Sequence, residues 1–223
     1  YFYSYFKLDK ETVSFSVPTG NFGDVFAGYL AKKMGLPIDR LIIATNENDI
    51  LHRAISKGDY TSREVKETSS PSMDIQLASN FERLIYYINN SDSKITADIM
   101  KKIKQNSYQI ENDNLEIIKK DFTSESCNEN ETLNIIKKNY EENNIILDPH
   151  TAVGVGAANK LSFKDCVVLS TAHPCKFPDA TNNAINKHEK LPRELRHVLD
   201  KEENFQVIKN DIEEVKNFVK SKA

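Results

Sequence analysis

The sequence predicts an α/β protein, a three-layer α/β/α arrangement around a parallel sheet. Three observations predict it. Between Thr12 and Ile55 an apolar strand, a helical pattern, a second apolar strand and a second helical pattern follow one another. That is a βαβ unit, whose crossover makes the strands parallel. The first strand runs into two glycines spaced around Asn-Phe, a break suited to a strand-to-helix turn. The same α/β texture returns after residue 144.

The elements justify themselves in order. Thr12–Thr19 (TVSFSVPT) is β-branched and aromatic, the composition of a buried strand. Val25, Phe26, Tyr29, Leu30 and Met34 then mark one face of a helix, which Gly35 and Pro37 end. Arg40–Thr45 (RLIIAT) reads as a second strand. NDILHRAI reads as the next helix, with Asn48 or Asp49 as its N-cap. No glycine occurs between Gly58 and Gly154, and the intervening residues are rich in Lys, Asn, Ile and Glu at helical spacing. Ile75, Leu77, Ala78, Phe81, Leu84, Ile85 and Ile88 form its broadest stripe. NIILDPHTAVGVGAANKL then reads as strand, loop and small-residue helix, and DCVVLSTAHP as a strand and polar turn. Ile208, Ile212, Val215 and Val219 give one face of a closing helix. The organisation expected is a βαβ part over 1–70, a mostly helical segment over 71–143, and a returning α/β part with a C-terminal helix over 144–223.

Bulk properties exclude several function classes. The 223 residues are 39% hydrophobic and 28% charged, enough for a substantial core. A net charge of −3 with both signs interspersed gives no electrostatic case for nucleic acid or an anionic membrane. No apolar run approaches the roughly 20 residues of a membrane helix. Cys127, Cys166 and Cys175 are odd in number and far apart, so reduced thiols in a cytoplasmic protein are expected, with no disulfide framework and no metal site. The opening YFYSYF lacks the features of a signal peptide. So aromatic a stretch is expected to be buried, which implies a chain that starts inside a domain with its upstream part missing.

The glycine turn is the first candidate site. A glycine-bearing turn that opens a helix exposes backbone N–H groups at the positive end of the helix dipole, and phosphate fits that place. Gly20 and Gly23 let the backbone approach closely and take positive φ. The spacing alone is weak, since plain strand-to-helix connections use it too. The signatures of a nucleotide P-loop and of a dinucleotide fold are absent.

Five blocks carry a stronger signal: SVPTGNFGDVFAGYLAKKMGLPI, IATNENDILHR, SPSMDIQLASNFERLIY, LDPHTAVGVGAA and LSTAHPCKFPDA. In this order they resemble the second half of the threonine synthases of the longer bacterial and fungal type. The resemblance covers nearly the whole chain and is weakest between Lys94 and Asn143. It implies a fold type II, tryptophan-synthase-β-like enzyme that uses pyridoxal 5′-phosphate to convert O-phosphohomoserine and water to threonine and phosphate. It implies that Gly20, Asn21, Phe22, Gly23 and Asp24 receive the cofactor's phosphate. It also implies that Thr171, with Ser170 as runner-up, sets a neutral hydroxyl beside the pyridine nitrogen. Such a hydroxyl leaves that nitrogen unprotonated, so less carbanion charge drains into the ring. A strand-end hydroxyl capping the next turn is the plain reading of Thr171.

The resemblance also marks a gap. The family's Schiff-base lysine follows a His-Gly-Pro-Thr block upstream of the glycine turn, and nothing before Gly20 matches it. Phe163-Lys164-Asp165 lies on the wrong side of the turn and reads as a loop before a strand. No catalytic residue is therefore assigned to this chain, and the expected partner is a missing N-terminal domain that carries the lysine. His150 and His173 have no second ligand at metal spacing and read as ordinary hydrogen-bonded histidines. Lys176 is an exposed lysine or a contact for the substrate phosphate. Thr45, Asn46 and Asn48 line a substrate site or cap a helix. The alternatives to a threonine synthase are a phospholyase of the same family that yields a keto acid, and a non-catalytic chain that binds phosphate compounds.

Overall fold

A computed structural model describes residues 1–105 and 108–222. Residues 106–107, within the segment read as helical, and Ala223, at the end of the closing segment, lie outside the described residues. The chain forms two units, Tyr1–Glu189 and Lys190–Ala223.

The first unit is built on a four-stranded parallel sheet: β1 (Val13–Pro18), β2 (Ile38–Thr45), β3 (Phe122–Ser126) and β4 (Cys166–Val168). Spatial order is β3-β2-β1-β4. The chain moves outward from β1 through β2 to β3, then returns to the other side of β1. Parallel sheets open a crevice at such a reversal, outside the carboxyl ends of the two strands.

Side chains alternate along the central strands. Phe15, Val17, Leu41 and Ile43 face one layer. That layer contains α2 (Gly23–Lys33), α3 (Ile50–Lys57), α4 (Phe81–Ile88), α5 (Ser93–Lys104) and α6 (Asn112–Asp121). Ile42 and Ala44 face the other layer, where α8 (Pro149–Lys160) lies, with Ile135 of α7 (Glu129–Asn143) packed against the same cluster. Both sheet faces are covered, as the apolar strands require. α8 comes close because its residues are small. A Cβ on Gly154 would lie 2.8 Å from Val168 Cγ1 and 3.2 Å from Pro18 Cγ. The buried Ser16 hydroxyl donates to the Gly154 carbonyl at 2.6 Å. A short helix, α1 (Phe2–Lys7), precedes the sheet, and α9 (Pro178–Ile185) follows it. Among the described residues no helix is long and apolar enough to cross a membrane.

Several expectations need correction. NIIL, read as a strand, is not one: α7 runs to Asn143 and Ile145 is exposed. The sheet instead takes Phe122–Ser126, whose sequence FTSES was read as part of a helical segment. An edge strand needs only one apolar anchor, here Phe122, so its composition gave little signal. α4 begins only at Phe81, and Leu77 is exposed ahead of it. Met34 sits at the C-cap of α2, on the solvent side rather than the apolar face. Of the aromatic opening, Tyr1 packs on Phe15 at 4.9 Å and Tyr5 is half-buried, whereas Tyr3 and Phe6 are exposed.

The second unit contains a 3-10 segment, Arg193–Val198, and α10 (Ile212–Lys222). Asp211 accepts the N–H groups of Glu213 and Glu214 at 3.0 Å each, which starts the helix at Ile212. Ile208 therefore lies outside the helical face assigned to it.

Candidate functional site

The carboxyl end of β1 leads directly into the glycine turn. Thr19 extends the pairing with β2, its N–H donating to the Ala44 carbonyl at 2.8 Å. Gly20 then passes against a 3-10 turn, Pro71–Met73: a Cβ there would lie 2.5 Å from the Ser72 carbonyl oxygen. Close approach is what Gly20 provides. Positive φ falls on neither Gly20 nor Gly23 but on Phe22, at 67°. Left-handed backbone costs a bulky residue about 1–3 kcal/mol. Burial offsets it: the Phe22 ring is 1% exposed and meets Phe81 edge-on at 5.1 Å and Phe122 at 5.9 Å.

The rest of the turn is fastened from outside. Asn21 Oδ1 accepts the Ser79 N–H at 2.8 Å and its hydroxyl at 3.1 Å. The Asn21 carbonyl accepts both the N–H and the side-chain amide of Asn80. The Asn21 side chain is thus committed to hydrogen bonds and that of Phe22 to packing, their carbonyls are engaged, and their N–H groups remain for a ligand. No side chain caps α2, so its first-turn N–H groups have no partner within the helix.

Thr45, Asn46 and Asn48 stand at the end of β2. Asn46 Nδ2 donates to Asp74 Oδ1 at 2.7 Å and to Thr68 Oγ1 at 2.9 Å. Asn48 Oδ1 accepts the Lys66 N–H at 2.9 Å. These amides tie down the loop that presents Ser72 and Met73 to Gly20. Their role is to position that loop.

A cavity of about 260 Å³ opens between the ends of β1 and β4. Gly20 and Asp24 line it from the glycine turn, and Ser72 and Met73 from the 3-10 turn. Thr171 and Ala172 enter after β4, Lys176 and Phe177 after them, and His150 from the first turn of α8. Of the residues singled out in the sequence, Gly20, Asp24, Thr171, Lys176 and His150 therefore meet in one place. Asn21, Phe22 and Gly23 build the turn without lining the cavity. Ser170 is exposed and His173 lines a different cavity. Lys164 is exposed just before β4 starts, at the opposite end of the sheet.

Charge in the cavity is mixed. Burial pushes the Asp24 carboxyl up, and a hydrogen bond from the Tyr1 hydroxyl only partly offsets this. Behind His150 stands Asp148, 1% exposed, the N-cap of α8 with Pro149 at the first helical position. Its Oδ1 accepts the His150 N–H at 3.0 Å and pairs with His150 Nδ1 at 3.0 Å, and Oδ2 accepts the Thr151 hydroxyl. The sequence reading missed Asp148, although an Asp-Pro ahead of a helix is a legible cap. It also missed Ser72, Met73 and Phe177, which only the tertiary fold brings here.

Known proteins resemble this chain in sequence and in fold. A family model described as "Threonine synthase, C-terminal" matches residues 151–219. A threonine synthase of Saccharomyces cerevisiae is 44% identical over 98% of this chain and 49% of its own length. One from Pseudomonas aeruginosa is 40% identical, over 98% of this chain and 48% of its own. Among solved structures, the PLP-bound threonine synthase from Brucella melitensis superposes with a TM-score of 0.88 at 41% identity, over 98% of this chain and 49% of that one. The yeast threonine synthase structure gives 0.86 at 43%, over 99% and 50%. The parallel α/β architecture is that of these fold type II structures. The chain spans about half the length of the relatives it matches. With identity at this level sustained over nearly all of its residues, the chain belongs to the threonine synthase family.

Proposed function

We propose that this chain is the cofactor-holding portion of a threonine synthase acting in the cytoplasm, and that it works with a further segment that supplies the lysine. The observation that carries the reading is the convergence of the glycine turn, the uncapped start of α2 and Thr171 on one cavity at the β1/β4 crevice. The residues present fit pyridoxal 5′-phosphate. Backbone N–H groups from Gly20 to Asp24 suit its phosphate. Thr171 offers a neutral hydroxyl to the ring nitrogen, and His150 Nε2 is a buried polar atom without a partner. When bound, the cofactor supplies an electron sink for chemistry at the amino-acid carbons. This chain's residues bind and orient: Lys176 brings positive charge to the substrate phosphate, and Asn46 and Asn48 keep the Ser72 loop closed over Gly20. The substrate is O-phosphohomoserine, and the products are threonine and phosphate.

Two outcomes test the reading. Gly20→Ala would drive Cβ into the Ser72 carbonyl, and overpacking of this kind costs about 1–3 kcal/mol. Pyridoxal 5′-phosphate binding, followed by absorbance in equilibrium dialysis, is expected to weaken about tenfold or more. Equal binding by Gly20→Ala and the parent would remove the glycine turn from the site. The purified chain is expected to release no phosphate from O-phosphohomoserine, because the proton-shuttling lysine is supplied elsewhere. Turnover by the chain alone would contradict this.

A further inference from the structure

Among the described residues, three buried side-chain polar atoms have no hydrogen-bond partner: Thr45 Oγ1, Ser69 Oγ and His150 Nε2. The histidine is the informative one. His150 is 4% exposed and lines the cavity, with the Phe177 ring against its imidazole at a centroid distance of 4.8 Å. Burial alone would raise the Asp148 carboxyl, but hydrogen bonds from His150 and Thr151 outweigh it and hold the group below the usual carboxylate range. Asp148 is therefore an acceptor, which assigns the shared proton to His150 Nδ1. The ring is fixed, its inner nitrogen is satisfied, and its outer nitrogen is left over in the cavity wall. A buried polar atom without a partner is unfavourable until something arrives to pair with it.

We propose that His150, held in place by Asp148, is a ligand-binding residue of this cavity whose Nε2 makes a hydrogen bond with the phosphate group of the bound molecule. The proposal rests on the reading that this cavity takes a phosphate-bearing cofactor or substrate. The anionic phosphate makes that hydrogen bond charge-assisted. The other charged groups lining the cavity are Asp24 from α2, whose carboxyl is pushed up by burial, and Lys176 after β4, whose ammonium attracts the same anion.

The test combines two variants with a direct readout. In His150→Asn the short amide can still reach Asp148 but nothing occupies the place of Nε2. In His150→Gln the longer amide puts a donor back there. Pyridoxal 5′-phosphate is expected to bind His150→Asn about tenfold more weakly than the parent chain, with most of the loss recovered in His150→Gln. In the parent, 15N NMR should show the His150 Nε2 resonance shifting as ligand is added. His173 and His188, which line a separate cavity, should stay in place. The same shift with O-phosphohomoserine and not with pyridoxal 5′-phosphate would support the contact and assign it to the substrate's phosphate. Binding of either compound with an unmoved Nε2 resonance and an unchanged His150→Asn affinity would overturn the proposal while leaving the cofactor reading intact. If neither compound binds the parent chain, the cofactor reading itself falls.

Discussion

Phe22→Ala is expected to lower the unfolding free energy by about 3–5 kcal/mol, the range for deleting a fully buried aromatic ring. The effect should be large because this ring does two things. It fills the space among Phe26, Phe81 and Phe122, and its burial holds the left-handed turn that starts α2. Alanine keeps the cost of the positive φ and loses the packing that offsets it. Urea denaturation of the variant and its parent measures the difference directly. A loss below about 1 kcal/mol would mean that the site collapses around the missing ring. The turn would then be held by the Asn21 bonds to Ser79 and Asn80 instead.

The second large effect is expected at Asp148. Asp148→Ala removes an N-cap, which costs about 0.5–2 kcal/mol. It also strands His150 Nδ1 and the Thr151 hydroxyl in the interior, at about 1–3 kcal/mol for a buried group left unpaired. Together about 3 kcal/mol is expected at neutral pH. The loss should depend on pH. The Asp148 carboxyl lies below its ordinary value when folded, so its contribution is complete above the unfolded pKa of about 4 and fades as pH falls through the folded value. Denaturation midpoints at pH 7 and pH 3 should therefore converge between Asp148→Ala and the parent. A gap that stays constant on acidification would mean that ionisation of Asp148 does not contribute.

How far the sequence could be read depended on what each element needed from its own residues. β1, β2, α2 and α3 were legible because apolar period and glycine or proline punctuation agreed in each. β3 was not, because an edge strand beside β2 is held by backbone pairing and one phenylalanine. NIIL carried a strand composition but found no place in the sheet. At the site, Gly20, Asp24 and Thr171 could be named from the family resemblance, whereas spacing alone left the turn as one plain connection among many. The reason for Gly20 was not legible: it is the Ser72 carbonyl, delivered by a loop that Asn46 and Asn48 tie down. His150 looked ordinary because the sequence offers no second ligand at metal spacing, and only the fold shows that its Nε2 is buried without a partner.

The strand order has a consequence for how the molecule comes together. β1 is central, yet its second neighbour arrives very late in the chain, where Ser14 meets Cys166. Pairing over such a separation carries a large loop-closure cost before any contact rewards it, and sheets of this kind fold slowly. Thr171 reaches Gly20 only once β4 has docked, so the cavity is complete only in the fully assembled sheet. A phosphate compound that binds there stabilises that last arrangement and no earlier one, by mass action. Without such a compound, undocking of β4 uncovers the flank of β1 that it pairs with, and leaves that backbone open to a protease.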